Sequence, residues 1–309
     1  MFHFTRRRFL ESIVAAAAAP AVVLRQQRPR RLPIAFSTLG CPKWDWRTIL
    51  DRASALGYAA IELRGIQANM DLPTRPEFEG TRLAQSLKDL DALDLRISDL
   101  GSSVNLHDPD PAKHAKQIDD GKRFIDLAHR MKTPYVRVFG NNFVKGEPRQ
   151  ATIDRVAAGL RELGQYGGGS GVTVIIESHG DFTDSPTLRE ILQGAESSSV
   201  ALLWDAHHTA VFGKEAPAET FKQLARYIRH THLKDSKPKG DDVTYVLLGT
   251  GNVPVRDTVR TLAKGGYHGY YCFEWEKVWH PEIEEPEVAF PHYAKVMTEY
   301  LSEAGVTPS

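Results

Sequence analysis

The chain has 309 residues, 41% of them hydrophobic and 25% charged, with 24 Gly, 18 Pro and two Cys. That composition is ordinary for a globular protein and excludes disorder, collagen, coiled coil and a polytopic membrane protein; two cysteines make neither a disulfide framework nor a Cys-rich zinc site. The net charge of zero hides a basic start: residues 1–31 hold seven Arg and one acid, which leaves 32 Lys+Arg against 38 Asp+Glu beyond them, a net of −6 that disfavours nucleic acid as a partner.

Residues 1–31 read as an export signal and linker. A basic stretch precedes Ser12-Ile13-Val14 and an Ala run to Ala19, the layout of a signal and too short an apolar run to span a bilayer, which needs ~20 residues. Thr5-Arg6-Arg7-Arg8-Phe9-Leu10 resembles the twin-arginine signal, with Glu11 where that signal continues with Lys. The resemblance implies passage through the twin-arginine export machinery, already folded, to a periplasmic location. Pro20 makes cleavage at Ala19-Pro20-Ala21 doubtful.

From residue 32 to 309, β-rich runs alternate with helical stripes. Strands are expected over 33–37, 59–63, 95–100, 135–139, 172–177, 201–205, 230–234 and 270–274. Their starts lie 26 to 40 residues apart, room for one helix and two loops each. Between them, Ile49, Leu50, Ala53 and Leu56 begin a series of apolar stripes at helical spacing. Ser185-Pro186 is expected to supply the N-cap and first-turn Pro of a helix, Gly57, Gly164 and Gly266 to end three, and Pro291 to kink or restart the last. Eight βα units with no glycine-rich phosphate loop predict an α/β fold, a single (β/α)8 TIM barrel, rather than a doubly wound sheet.

The later strands end alike. Each apolar run stops at a carboxylate or an imidazole: Glu177, Asp205, His232 and Glu274. In a barrel these converge at the C-terminal mouth. Three carboxylates brought together repel unless a cation compensates, and oxygen ligands with one imidazole suit Mn²⁺, Co²⁺ or Mg²⁺, with Zn²⁺ admissible. His207 and His208, if extended, point opposite ways, so at most one faces the ion. His230 and Cys272 share inward parity with the set but lie deeper. Trp44, in the loop after the first strand, offers an aromatic face to a sugar.

Five segments carry a resemblance to the xylose-isomerase-like barrel superfamily of sugar (phosphate) isomerases and epimerases: Ile176-Glu177-Ser178-His179-Gly180, Trp204-Asp205-Ala206-His207-His208, His230-Thr231-His232-Leu233-Lys234-Asp235, Leu248-Gly249-Thr250-Gly251-Asn252-Val253 and Phe273-Glu274-Trp275-Glu276. The resemblance implies one divalent metal ion, Mn²⁺ foremost, on Glu177, Asp205, His232 and Glu274, with His208 on the substrate. His179 and Lys234, in the same segments, complete the candidate substrate contacts with Trp44. Thr183 departs from the pattern, since ketose epimerases carry an acid there. The DNA-repair branch of the superfamily needs an Asp-x-His pair that 241–245 lacks.

These residues predict an isomerase or epimerase of a free sugar or sugar derivative. Glu177 and Glu274 remove and return a proton beside a carbonyl, through a cis-enediolate that the metal stabilises. The alternative on the same barrel is a 3-keto-glycoside lyase or hydrolase; a non-catalytic carbohydrate-binding barrel is more remote, because binding needs no acid/base pair. A homo-oligomer is as compatible with the sequence as a monomer. Cys41 and Cys272 are expected as free thiols.

Overall fold

The structure is a computed structural model that describes residues 30–240 and 242–308. Arg6-Arg7, the Ala run and nearly all of the linker lie outside the described residues. Arg31, at the linker's end, is already docked: its guanidinium donates to the Tyr58 carbonyl at 2.7 Å and to Ser54 Oγ at 3.1 Å.

The elements run β1 (Ile34–Ser37), α1 (Trp46–Ala55), β2 (Ala60–Leu63), α2 (Gly80–Ala92), β3 (Arg96–Asn105), α3 (Pro111–Met131), β4 (Tyr135–Phe139), α4 (Arg149–Gly168), β5 (Thr173–Glu177), α5 (Ser185–Ala195), β6 (Val200–Asp205), α6 (Ala206–Val211), α7 (Pro217–Leu224), β7 (Ile228–Leu233), β8 (Asp235–Lys239), β9 (Asp242–Val246), α8 (Val255–Lys264), β10 (Tyr271–Phe273) and α9 (Pro286–Glu303). Strands β1 to β7 and β10 close a parallel barrel in the order β1-β10-β7-β6-β5-β4-β3-β2. All eight expected strands are present. The antiparallel hairpin β8–β9 stands outside the barrel and is not among the strands expected from the sequence.

Alternation along each strand sorts the side chains. Phe36, Ile61, Val138, Ile176, Leu202 and Phe273 join the core shared with the helices. The opposite parity faces the barrel axis, where Ala35, Ala60 and Cys272 fill one side and Ile175, Ala201 and Leu203 the other. Two residues beyond these apolar positions come Glu62, Glu177, Asp205 and Glu274. A period of two therefore puts the carboxylates in the layer above the apolar one. Register completes the alignment: Asp205 pairs with His232, and His232 with Cys272.

Two local expectations need correction. Gly164 does not end a helix; it lies inside α4, where a Cβ would sit 2.5 Å from Val200 Cγ2, so glycine there serves close packing. The cap of α5 is Asp184, whose carboxylate accepts from Thr187 N at 2.9 Å; Ser185 is already helical. Helix α9 continues through Pro291, so of the two expected outcomes there the restart does not occur. Gly57 and Gly266 do take positive φ after their helices, and Cys41 and Cys272 are buried free thiols.

One carboxylate ties the hairpin to the loop before α8. Asp235 Oδ2 accepts from Gly249 N and Gly251 N, both at 2.9 Å, and Oδ1 accepts from Ser236 N at 2.9 Å and Val253 N at 3.1 Å. A Cβ on Gly251 would fall 2.2 Å from Oδ1, and Gly249 has φ +82, which explains both glycines of Leu248-Gly249-Thr250-Gly251. Asp235→Ala removes the acceptor of four N–H donors, one of them buried and the other three in part-buried bonds. It should lower the unfolding free energy by about 2 kcal/mol or more in urea titration; an unchanged midpoint would refute the clamp.

Candidate active site

The strand ends gather Glu177, Asp205, His232 and Glu274, whose ligand atoms all lie within 4.8 Å of one another. His232 Nδ1 stands 3.2 Å from Glu274 Oε2, 3.6 Å from Glu177 Oε1 and 3.8 Å from Asp205 Oδ2. All four residues are buried. Burial disfavours a charged imidazole, but the surrounding carboxylates of Glu274, Glu62 and Glu177 outweigh it and hold His232 well above its ordinary value.

The ring of His232 is fixed from behind. Its Nε2 lies 2.6 Å from Glu62 Oε2, which directs Nδ1 at the cluster. Glu62 Oε2 also meets His230 Nε2 at 3.1 Å, and His230 Nε2 meets Asp99 Oδ1 at 3.1 Å. Burial, reinforced by the charge of Glu62, pushes Asp99 up to about 7. His230 is thus a buried, hydrogen-bonded histidine beneath the site. Glu62 and Asp99 had no motif to mark them, although a carboxylate inside Ala60-Ile61-Glu62-Leu63 at inward parity was a signal.

Lys234 is fully buried. Its ammonium lies 2.6 Å from Asp205 Oδ2 and 3.0 Å from Glu276 Oε1, and it also donates to Glu274 Oε2. Arg137 Nε lies 3.3 Å from Glu177 Oε2. Burial raises Glu177, but Arg137 outweighs it and brings the carboxyl to about 2. Burial lifts Glu276 to about 7 against the pull of Lys234. Four carboxylates (Glu177, Asp205, Glu274 and Glu276) therefore face two fixed cations, Lys234 and Arg137. Glu177 Oε2 and His232 Nδ1, both buried, make no hydrogen bond. Two unpartnered ligand atoms among crowded carboxylates fit a divalent cation, which would take the place of the imidazole proton on His232.

Above the cluster a cavity of about 280 Å³ opens, lined by Glu177, Glu274, Glu276, His179, Arg64, Arg137 and Trp279 among others. His179 takes its place there, Nδ1 2.9 Å from Asn141 Oδ1. His207 and His208 lie in α6 rather than in an extended segment. His208 Nδ1 is 3.0 Å from the Ser178 carbonyl, and His207 Nε2 is 2.8 Å from Ser236 Oγ. Burial and then the Lys234 charge lower both histidines to about 3, so both are neutral. Lys234 and His208 lie beneath the cavity rather than on its wall. Trp44 is not brought to the site: its Nε1 donates to Glu287 at 3.1 Å, its ring meets Phe290 edge-on, and it lines a different pocket, beside Lys277 and Pro281. Trp279, 57% exposed, is the indole that lines the cavity.

Residues 50–299 match the family described as "Xylose isomerase-like TIM barrel". An inosose dehydratase from Clostridium botulinum is 27% identical over 167 residues, 48% of this chain and 53% of that protein. The chain thus spans about half the length of this relative. A fructoselysine 3-epimerase from Shigella flexneri is 25% identical over 229 residues, 72% of this chain and 82% of that one. Among solved structures, the IolI protein with a bound zinc atom superposes with a TM-score of 0.69 at 18% identity, covering 88% of this chain and 99% of that one.

Glu62 generates a test. Glu62→Gln keeps the shape but weakens the hydrogen bond that aims His232. It should lower the affinity for Mn²⁺ about 10–100-fold in calorimetric titration, with His232→Ala abolishing binding. Undiminished binding in Glu62→Gln would show that His232 is aimed by something else.

Proposed function

Because this chain belongs to the xylose isomerase-like TIM barrel family, we propose that it is a divalent-metal-dependent isomerase or epimerase of a sugar derivative, working by proton abstraction beside a carbonyl. The observation that carries this reading is the pair Glu177 and Glu274. They come from non-adjacent strands, line one cavity and share one cluster with Asp205 and His232. Relatives named as an inosose dehydratase and a fructoselysine 3-epimerase support a sugar-like substrate.

Glu177, Asp205, His232 and Glu274 would hold the ion, Mn²⁺ foremost. A divalent ion there supplies Lewis-acid polarisation of a carbonyl, which makes the neighbouring C–H acidic enough to lose its proton. Arg137 keeps Glu177 ionised, and His232 and Lys234 do the same for Glu274 against the cost of burial. Either carboxylate can therefore accept a proton at neutral pH, and the other can return one. Lys234 and Glu62 hold the two ends of the cluster in place.

A second reading, elimination from a 3-keto-glycoside or a related sugar, has one specific observation in its favour. Glu276 lines the cavity with its carboxyl raised to about 7, where it can donate a proton to a leaving group. Epimerisation needs no such donor.

Glu177→Gln and Glu274→Gln should each keep a bound metal ion yet lose about 10²–10⁴-fold in turnover. In deuterated water the wild type should exchange the proton beside the carbonyl without releasing an aglycone; aglycone release selects the elimination reading. Near-normal turnover in both variants, or full activity after chelation, would sink the proposal. Export by the twin-arginine route belongs to the same reading, on Arg6-Arg7. Changing both to Lys should confine the protein to the cytoplasm in cell fractionation, and periplasmic recovery would reject that route.

A further inference from the structure

Two guanidinium groups line the cavity, and metal holding and proton transfer do not account for both. Arg137 and Arg64 are 1% and 6% exposed. Arg137 faces Glu177, but its Nε and Nη1 are buried without a hydrogen-bond partner. Arg64 donates to Ser103 Oγ at 3.0 Å and to the Gly101 carbonyl at 3.5 Å. Among the described residues no carboxylate forms an ion pair with it. The two cations are close neighbours: burial and then the charge of Arg137 bring Arg64 down to about 10.

The backbone is shaped to hold them. A Cβ on Gly101 would lie 2.8 Å from Arg64 Cδ and 2.9 Å from Arg137 Nη2, so glycine in β3 lets both side chains lie across the strand. Desolvating two like charges side by side is unfavourable unless an anion arrives to share them. The carboxylates of the metal cluster do not fill that place. Glu177 is matched by Arg137, and Asp205, Glu274 and Glu276 by Lys234 and the ion. Arg64 is the cation left over, and it faces the space where a sugar would lie.

We propose that the substrate is an acidic monosaccharide derivative whose carboxylate docks on Arg64 and on Arg137 Nη1, which has no partner. This rests on the reading of the cavity as a sugar site. A planar guanidinium fork matches a carboxylate in two parallel hydrogen bonds. A phosphate ester is less well suited, since barrels of this kind gather phosphate at the loops after the seventh and eighth strands and at a helix N-terminus. Arg64 and Arg137 stand instead at the second and fourth strands.

The test uses the Mn²⁺-loaded full chain, titrated calorimetrically with D-galacturonate and D-glucuronate, their neutral counterparts D-galactose and D-glucose, and D-galactose 6-phosphate. Protection against thermal unfolding is a second readout. At least one uronate should bind about 10-fold or more tighter than its neutral sugar, since hydrogen bonds to charged groups carry that much. Arg64→Gln should bring the ratio near one, and Arg64→Lys should restore part of it, both with Mn²⁺ affinity retained as the check on folding. Equal binding of acidic and neutral sugars, a ratio that survives Arg64→Gln, or preference for the phosphate ester overturns the proposal and leaves the sugar reading standing. If Mn²⁺ binds and no sugar of either kind does, the sugar reading fails as well. Should Arg64→Gln not fold, the wild-type comparison decides alone.

Discussion

Crowded negative charge at the barrel mouth is the constraint to which the rest of the structure answers. Glu177, Asp205, Glu274 and Glu276 are buried close together, along with His232. Left alone, such a group would expand or take up protons. The chain meets it with Lys234 driven into the middle, Arg137 alongside and His232 carrying charge between them, backed by Glu62. The closed barrel makes this arrangement available, because its strands supply inward positions from every side.

That requirement explains features far from the mouth. On the side of the axis filled by the small residues Ala35, Ala60 and Cys272, His230 reaches Glu62 and is met in turn by Asp99. Asp235 fixes the hairpin that carries Tyr245, whose ring lies 6.0 Å from the Lys234 ammonium and 5.4 Å from the His207 ring. The buried lysine is therefore roofed by structure that one carboxylate secures.

Much of this was legible in the sequence, for a definite reason. A barrel strand writes its own end, because an apolar run facing helices must stop where the mouth begins. Four such runs ended in Glu177, Asp205, His232 and Glu274, and parity alone placed His230 and Cys272 inward. Arg64, Arg137 and Glu62 escaped notice because the early strands carry no comparable motif. Yet Arg137 between Val136 and Val138 is a charge at an inward position, which a strand tolerates only with a partner inside. The assignment of Trp44 erred because parity says nothing about the path of a loop; Trp279 reaches the cavity through a turn that the pattern does not encode. The hairpin β8–β9 was hidden by Pro238 and by the polar residues of an exposed ribbon.

The layering of the site has a kinetic consequence. Asp205 and His232 are fully buried below the cavity, and their other side is closed by Glu62, Asp99 and His230. On the proposed function, an ion bound for them would pass through the cavity that the substrate would occupy. Addition would then be ordered, ion first and sugar second, with the sugar closing the well above the ion. A chelator would act on the free protein, and saturation with substrate would trap the ion.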